Sequence, residues 1–176
     1  MNKNFLSLAF AGLVILNGMV FAGDFGSAGA ENQSDYSLKE MLQYALEDEH
    51  MALAEYEALM EEFGLTRPYS NIAQSEKTHI SWLEGLYKDY QISVPIINTA
   101  DHIVLPETLR EAAEIAVQAE INNIAMYEKF LKQDLPEDVA EVFTLLKNAS
   151  QNHLRAFQRQ VSSTAGTSQG RGRNRG

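Results

Sequence analysis

The sequence predicts an all-α protein, an antiparallel four-helix bundle with one long crossover connection between its second and third helices. Apolar residues recur at three- and four-residue spacing over four segments of about 20 to 27 residues. The connections within each pair of segments are short, which is typical of antiparallel helical hairpins. Between the two pairs, residues 90–105 lose the helical period and contain Pro95, which makes a helix there unfavourable.

The first 36 residues are expected to lie outside the bundle. Residues 1–22 predict a cleaved signal peptide, because Lys3 gives a positive start and the apolar run from Phe5 ends at Ala22 in a small-residue pattern. An uncleaved membrane anchor is the alternative, although the run is near the lower length limit for a span. Residues 23–36 are rich in Gly, Ala, Ser and Asn and predict a flexible leader. We therefore expect an exported protein, periplasmic or secreted, with no stable membrane anchor after cleavage.

The first hairpin is bounded by strong capping signals. Ser37 and Glu40 form a capping-box pattern that predicts the start of the first helix. Gly64 predicts its end, because glycine readily adopts the left-handed conformation after a helix. The second helix is predicted to run from about Ser70 to Asp89.

The second hairpin begins after the long connection. Pro106 suits the first turn of the third helix, and Pro136, within the run Asp-Leu-Pro, predicts the start of the fourth. The whole bundle is predicted to span residues 37–161. Residues 162–176 contain too few apolar side chains to fold and predict a disordered, solubilising Arg/Gly tail.

Composition excludes several classes of function. The chain has 14 basic and 24 acidic residues, a formal net charge of −10, which argues against general nucleic-acid binding and suits a protein that attracts cations. It has no cysteine, which excludes disulfides and cysteine-based metal sites.

Five ionisable side chains occupy the apolar stripes of the predicted helices. They are Glu49, Glu76, His79, Glu120 and His153. Taken singly, such a residue is more often a hydrogen-bonded core histidine or a glutamate at a bundle end. Together they fall near the middle of all four helices, and burying unpaired carboxylates costs several kcal/mol. A shared cation is the simplest compensation, and carboxylate with imidazole suits iron, with manganese and zinc as alternatives.

Other polar residues have weaker assignments. Tyr56 and Tyr127 each follow a stripe glutamate by seven residues, and are either core aromatics or phenols that hydrogen-bond a ligand on a neighbouring helix. Ser150, three residues before His153, is expected beside the site. The remaining acidic residues of the first helix fall mostly off its stripe and are expected to be solvated: Glu47, Asp48, Glu55, Glu57, Glu61 and Glu62. His50 and His102 are expected at the surface, and Trp82 at the bundle edge or a partner surface.

These motifs resemble the ferritin-like superfamily, which includes ferritins, bacterioferritins and rubrerythrins. Glu49-x₆-Tyr56 and Glu76-x-x-His79 are similar to one half-site of those proteins. The strings ALEDEHMALAEYEAL, NIAQSEKTHISWLEGLYKDYQI and ASQNHLRAF resemble more narrowly the ferritin-like domain of unknown function 2202. The resemblance covers about residues 37–160 and implies a four-helix bundle whose metal ligands are the five stripe residues named above. Ser150 stands where the superfamily has a further glutamate, which leaves a symmetric two-iron site in doubt.

Three functions compete on this basis. The first is an iron-dependent redox protein that oxidises Fe(II) or reduces peroxide, with O₂ or peroxide as its partner. The second is a non-catalytic protein for metal storage, buffering or sensing. The third is a helical interaction module whose buried polar groups pair with one another. A homodimer is compatible with all three.

Overall fold

The structure is a computed structural model that describes residues 25–31 and 33–169, so the predicted signal peptide lies outside the described residues. The described residues form helices and no strand, which confirms the all-α class. The helices are α1 (Gly26–Ala30), α2 (Leu38–Phe63), α3 (Tyr69–Asp89), α4 (Leu109–Phe130) and α5 (Glu137–Gln169). None of them combines the length and apolarity that crossing a membrane would require.

The capping signals of α2 are confirmed. The Ser37 side chain accepts a hydrogen bond from the Glu40 backbone N–H, and the Glu40 carboxylate accepts one from the Ser37 N–H at 2.8 Å. Gly64 ends the helix with φ +62°, and its N–H donates to the carbonyl of Met60. Both ends of α2 are therefore fixed by local sequence.

The second pair of helices differs from the prediction at both of its ends. The helix α4 begins after Thr108, whose side chain forms a second capping box with Glu111, so Pro106 precedes the helix and does not lie in its first turn. The helix α5 follows Pro136 and continues beyond residue 161 to Gln169, through part of the predicted tail. The rest of that tail, residues 170–176, lies outside the described residues.

The predicted flexible leader also differs, since it contains α1. Gly26 has φ +55°, and a Cβ atom at this position would lie 2.8 Å from Oδ1 of Asp48. Only glycine combines this backbone conformation with so close an approach. The Gly26 N–H donates to Glu47 at 2.9 Å, and the Ser27 N–H donates to Asp48 at 2.8 Å. These bonds hold α1 against α2.

Two apolar clusters fill the core on either side of a polar layer. The first includes Leu46 of α2, Leu83 of α3, Phe130 of α4 and Phe143 of α5. The second includes Tyr56 of α2, Ile72 of α3, Ala116 of α4 and Phe157 of α5. Along α2 and α5 the chain meets the first cluster before the second, whereas along α3 and α4 it meets them in the opposite order.

The directions of the long helices follow from that order. The helix α2 is antiparallel to α3, and α4 is antiparallel to α5, while α3 and α4 run in the same direction. The connection through residues 91–108 must therefore return along the length of the molecule. The closest packing is between α2 and α3 and between α4 and α5, with further contacts between α2 and α4 and between α3 and α5.

Candidate metal centre

The polar layer between the apolar clusters brings together all five residues that the sequence singles out. They are almost inaccessible, with exposed fractions of 1% for Glu49, 2% for Glu76, 3% for His79, 3% for Glu120 and 7% for His153. Helical periodicity places them on the inner faces, and the antiparallel arrangement brings the middles of the helices to one level.

The first half of the centre is a trio formed by α2 and α3. Nδ1 of His79 lies 2.7 Å from Oε2 of Glu76 and 2.9 Å from Oε2 of Glu49. These three residues offer ligand atoms that all lie within 4.8 Å of one another. Carboxylate oxygens and an imidazole nitrogen at this spacing could hold a metal ion.

The second half is a trio of Glu76, Glu120 and His153, whose ligand atoms also lie within 4.8 Å of one another. Nδ1 of His153 is 3.2 Å from Oε1 of Glu76 and 3.4 Å from Oε1 of Glu120. Despite this proximity, the buried nitrogen makes no geometrically acceptable hydrogen bond within the described chain. Three buried ligand atoms that converge in this way could hold a metal ion.

Glu76 is common to both trios. Its Oε2 atom faces His79, and its Oε1 atom faces His153. The two imidazole rings lie 5.9 Å apart between centroids and are nearly parallel, with an interplanar angle of 25°. The carboxylate of Glu76 therefore offers one oxygen atom to each trio.

Two tyrosines link the trios across the molecule. Tyr127 of α4 donates a hydrogen bond to Oε1 of Glu49 on α2 at 2.6 Å. In the reciprocal arrangement, Tyr56 of α2 donates to Oε1 of Glu120 on α4 at 2.8 Å. Each phenol therefore fixes the orientation of a carboxylate on the opposite helix, which is a common role of residues that surround metal ligands.

His79 has a further partner that sequence reasoning missed. The hydroxyl of Ser75 lies 3.0 Å from Nε2 of His79. The Ser75 hydroxyl can accept a hydrogen bond from Nε2–H, which would hold the ring with Nδ1 directed at the carboxylates. The sequence does carry a signal for this contact, because the four-residue spacing of Ser75 and His79 places both side chains on one helix face.

Trp82 covers the outer side of His79. It is 38% exposed, and its ring centroid lies 5.5 Å from that of the His79 ring.

The pKa values show how strongly the groups of the first trio interact. Burial and the charge of Glu76 raise the pKa of Glu49 to about 7. Burial also tends to raise the pKa of Glu76, but the close imidazole rings of His153 and His79 bring it below its usual value. Burial disfavours the charged ring of His79, yet Glu49 and Glu76 raise its pKa to about 9.

The pKa of His153, the histidine of the second trio, is raised for the same reason. Burial opposes its charged form, but the carboxylates of Glu120 and Glu76 raise the pKa of His153 to about 10. Without a metal ion, both imidazole rings are therefore protonated at neutral pH and partly neutralise the carboxylates.

The two halves of the layer are unequal at Ser150. This residue is 3% exposed, and its hydroxyl donates to the carbonyl of Leu146, so it brings no negative charge to the layer. On α4, Asn123 is 5% exposed, and its Oδ1 atom has no hydrogen-bond partner in the described chain. Sequence reasoning did not identify Asn123 as a buried polar residue, although it follows Glu120 by three residues on the same helix face.

Three acidic residues of α2 that were expected to be solvated are covered instead. Glu47 is 6% exposed and Glu55 is 9% exposed, and Asp48 is partly buried. Burial raises the pKa of Asp48 and of Glu55 to about 7 in each case, with further contributions from neighbouring carboxylates. The prediction was wrong because α1 and the α3–α4 connection cover this side of α2, and helical periodicity within α2 carries no information about either segment.

The two remaining histidines are also less exposed than expected. His50 and His102 are both partly buried. The His102 ring, in the α3–α4 connection, stacks on Phe25 with 4.2 Å between centroids. Phe25, which directly precedes α1, and the α3–α4 connection therefore meet beside α2.

The part of the chain that is similar to known proteins includes all four helices that supply the polar layer. Residues 38–170 match the family model described as an uncharacterized protein domain, DUF2202. The chain belongs to this family. It is 28% identical over 139 residues to the uncharacterized protein MJ0754 of Methanocaldococcus jannaschii, with 70% of this chain and 75% of that protein covered. The crystal structure of the hypothetical protein MJ0754 from Methanococcus jannaschii is similar with a TM-score of 0.65 and 25% identity, covering 76% of this chain and 85% of that chain.

Proposed function

We propose that this member of the DUF2202 family is a ferritin-like four-helix bundle that binds two iron ions, one in each trio, and uses them in redox chemistry. The observation that carries the proposal is the pair of buried carboxylate–histidine trios sharing Glu76. Support for the ferritin-like architecture comes from two antiparallel hairpins whose inner faces present glutamates and a Glu-x-x-His pair at one level.

Each residue has a defined part in this proposal. Glu49 and His79 would hold one ion, Glu120 and His153 the other, and Glu76 would bridge them. The donor set contains oxygen and nitrogen but no sulfur, which suits iron and also accommodates manganese or zinc. Bound iron would supply one-electron redox chemistry, with oxidation of Fe(II) by O₂ or reduction of peroxide as the reactions to test.

The protein around the ions would control charge and water. Tyr127 and Tyr56 hold one oxygen each of Glu49 and Glu120, which prevents those carboxylates from rotating freely. The apolar clusters above and below the layer exclude bulk water, so charge interactions inside it are strong.

Metal binding without turnover is a second candidate, favoured by Ser150. A serine in place of a glutamate leaves the layer with three carboxylates among its ligands, and the second trio lacks a carboxylate from α5. A protein that holds its ions for storage or buffering needs no further ligand. The two candidates agree on the site and differ only in reactivity toward O₂ or peroxide.

The test begins with metal binding. We expect protein purified without chelator, or loaded anaerobically with Fe(II), to contain up to two metal ions per chain and to melt at a higher temperature than metal-free protein, because a ligand that binds only the folded state stabilises it. Glu76→Gln should abolish this stabilisation. Glu84→Gln removes the same charge from an exposed position on the same helix and should behave as wild type. Wild-type protein that neither retains nor is stabilised by iron, manganese or zinc would exclude both candidates.

Reactivity separates the two candidates. Air admitted to the Fe(II)-loaded protein should produce an absorbance change and O₂ consumption that Glu76→Gln lacks. A wild-type protein that holds iron firmly but shows neither change, and does not consume added peroxide, would be a binding protein without turnover.

Export is also proposed, on the pattern of residues 1–22. Mass measurement of the protein recovered from its native cells should give a chain that begins at Gly23. A full-length chain retained in the membrane would support the anchor instead.

A further inference from the structure

A row of three aromatic rings leads from the surface of α3 into the candidate metal centre. The indole of Trp82 lies 5.5 Å from the imidazole of His79 between centroids, with an interplanar angle of 37°. The imidazole of His79 in turn lies 5.9 Å from that of His153 and is nearly parallel to it. Because each trio contains one of these two histidines, the row connects Trp82 with both candidate ion positions.

Trp82 forms the outer end of this row. It is 38% exposed, whereas both histidines are buried. Its neighbours on the helix surface are small, because Thr78 precedes it by four residues and Gly85 follows it by three. The space around Gly85 is open. A molecule at the protein surface can therefore touch the indole while the centre itself stays covered.

The other aromatic groups at the centre are closed off from the surface. Tyr127 donates to Glu49 and Tyr56 donates to Glu120, but both phenols are buried. Among the ring contacts within residues 25–31 and 33–169, only that of Trp82 joins an exposed aromatic residue directly to a residue of a trio.

The proposed redox chemistry needs a supply of electrons. Reduction of one H₂O₂ to two H₂O consumes two protons and oxidises two Fe(II) to two Fe(III), so each cycle requires two electrons from outside the centre. The chain has no cysteine with which to hold an iron–sulfur cluster of its own. A separate one-electron carrier is therefore the simplest source.

We infer that Trp82 is the point at which a one-electron carrier delivers electrons to the metal centre, through the ring of His79 and onward through that of His153. The inference rests on the proposed function, because it concerns the return of oxidised iron to Fe(II). In each transfer the carrier loses one electron and one Fe(III) gains it, and no bond forms or breaks. Trp82 acts through His79 and is therefore a positioning residue of the electron path. A single exposed ring among small side chains suits the small, weak contacts of electron-transfer partners.

The test measures how fast an external donor reduces the oxidised centre. The full-length chain is loaded anaerobically with Fe(II), oxidised with H₂O₂ and mixed in stopped flow with reduced methyl viologen, and the loss of ferric absorbance gives the rate. We expect Trp82→Leu to be reduced at least about tenfold more slowly than wild type, which corresponds to about 1.4 kcal/mol of activation free energy. Trp82→Phe keeps a ring beside His79 and should recover most of the wild-type rate.

Controls separate the electron path from a structural effect. Tyr90 lies at the C-terminal end of α3, about three turns beyond His79, so Tyr90→Leu removes an aromatic ring outside the row and should be reduced at the wild-type rate. None of these substitutions changes a charge, so the attraction of the donor stays the same. Iron content and the reduction potential of the centre should equal those of wild type, because no ligand is replaced.

The possible failures are distinguishable. Reduction of Trp82→Leu at the wild-type rate or faster, with normal iron content, would overturn this inference and leave the proposed function intact, because the indole would then only cover His79. A Trp82→Phe protein as slow as Trp82→Leu, or a Trp82→Leu protein that loses its iron, would overturn it as well. A wild-type protein that takes up no iron, or whose bound iron is not oxidised, would overturn both.

Discussion

Loading the centre with metal should release a countable number of protons. At pH 7 the rings of His79 and His153, with pKa values of about 9 and about 10, each carry a proton in the metal-free protein. Glu49, with a pKa of about 7, carries about half a proton. A metal ion binds the deprotonated forms, so filling both trios should release about 2.5 protons per chain, and filling only the first about 1.5.

Titration calorimetry measures this release directly. Mn(II) is added to metal-free protein at pH 7 in two buffers that do not bind the ion and differ in ionisation enthalpy, and the difference in heat gives the protons released. The apparent affinity should rise about tenfold per pH unit for the second trio and about thirtyfold for the first near pH 7, because it changes tenfold for each proton released. Release of less than about one proton at full loading, or an affinity that does not change with pH, would contradict metal binding by these histidines.

Three substitutions test the surroundings of the centre. Tyr127→Phe removes the hydrogen-bond donor to the buried Glu49 carboxylate and should lower the free energy of unfolding in urea by about 2 kcal/mol. Tyr90→Phe removes an exposed hydrogen bond to Asp138 and should lower it by less than about 0.5 kcal/mol. Equal losses would contradict the importance of the buried bond. Gly26→Ala forces a Cβ atom against a carboxylate oxygen at positive φ and should speed amide exchange in α1 and cost about 1–3 kcal/mol. By contrast, Gly85 lies within α3 with open space around it, so Gly85→Ala should raise the free energy of unfolding by about 0.5–1 kcal/mol. If Gly26→Ala were the more stable of the two variants, α1 would not be docked against α2. Ser150→Glu should destabilise the metal-free protein by about 3–5 kcal/mol. If wild type holds only one ion per chain, the variant should hold up to two, and in that case an unchanged ratio would mean that position 150 does not face the site.

The helical parts of the fold and the five residues of the polar layer could be predicted because their signals are local. Glu49 falls on the apolar stripe of α2 and Glu120 on that of α4, and a charged residue on such a stripe is visible from spacing alone. The Ser37 capping box and Gly64 likewise mark the ends of α2 by their own side chains and backbone.

The rest depends on contacts between distant parts of the chain. Glu55 lies off the stripe of α2, and its burial requires cover that the helix itself does not provide. That cover includes α1, a five-residue helix rich in Gly and Ala, too short for helical periodicity to reveal. His102 was predicted to lie at the surface because the pattern around it does not reveal its stacking partner, Phe25, which is distant in the sequence. The start of α4 is an exception, because its signal is local: the prediction rested on Pro106, whereas the capping box of Thr108 and Glu111 begins the helix.

Both candidate functions require that the two trios sharing Glu76 bind metal. The most direct measurement is anomalous scattering at the metal edge from crystals of the protein loaded anaerobically with Fe(II). We expect two anomalous peaks in the layer between the apolar clusters, one at ligand distance from Nδ1 of His79 and one at ligand distance from Nδ1 of His153. Crystals of loaded protein in which neither nitrogen has a peak beside it would contradict the account.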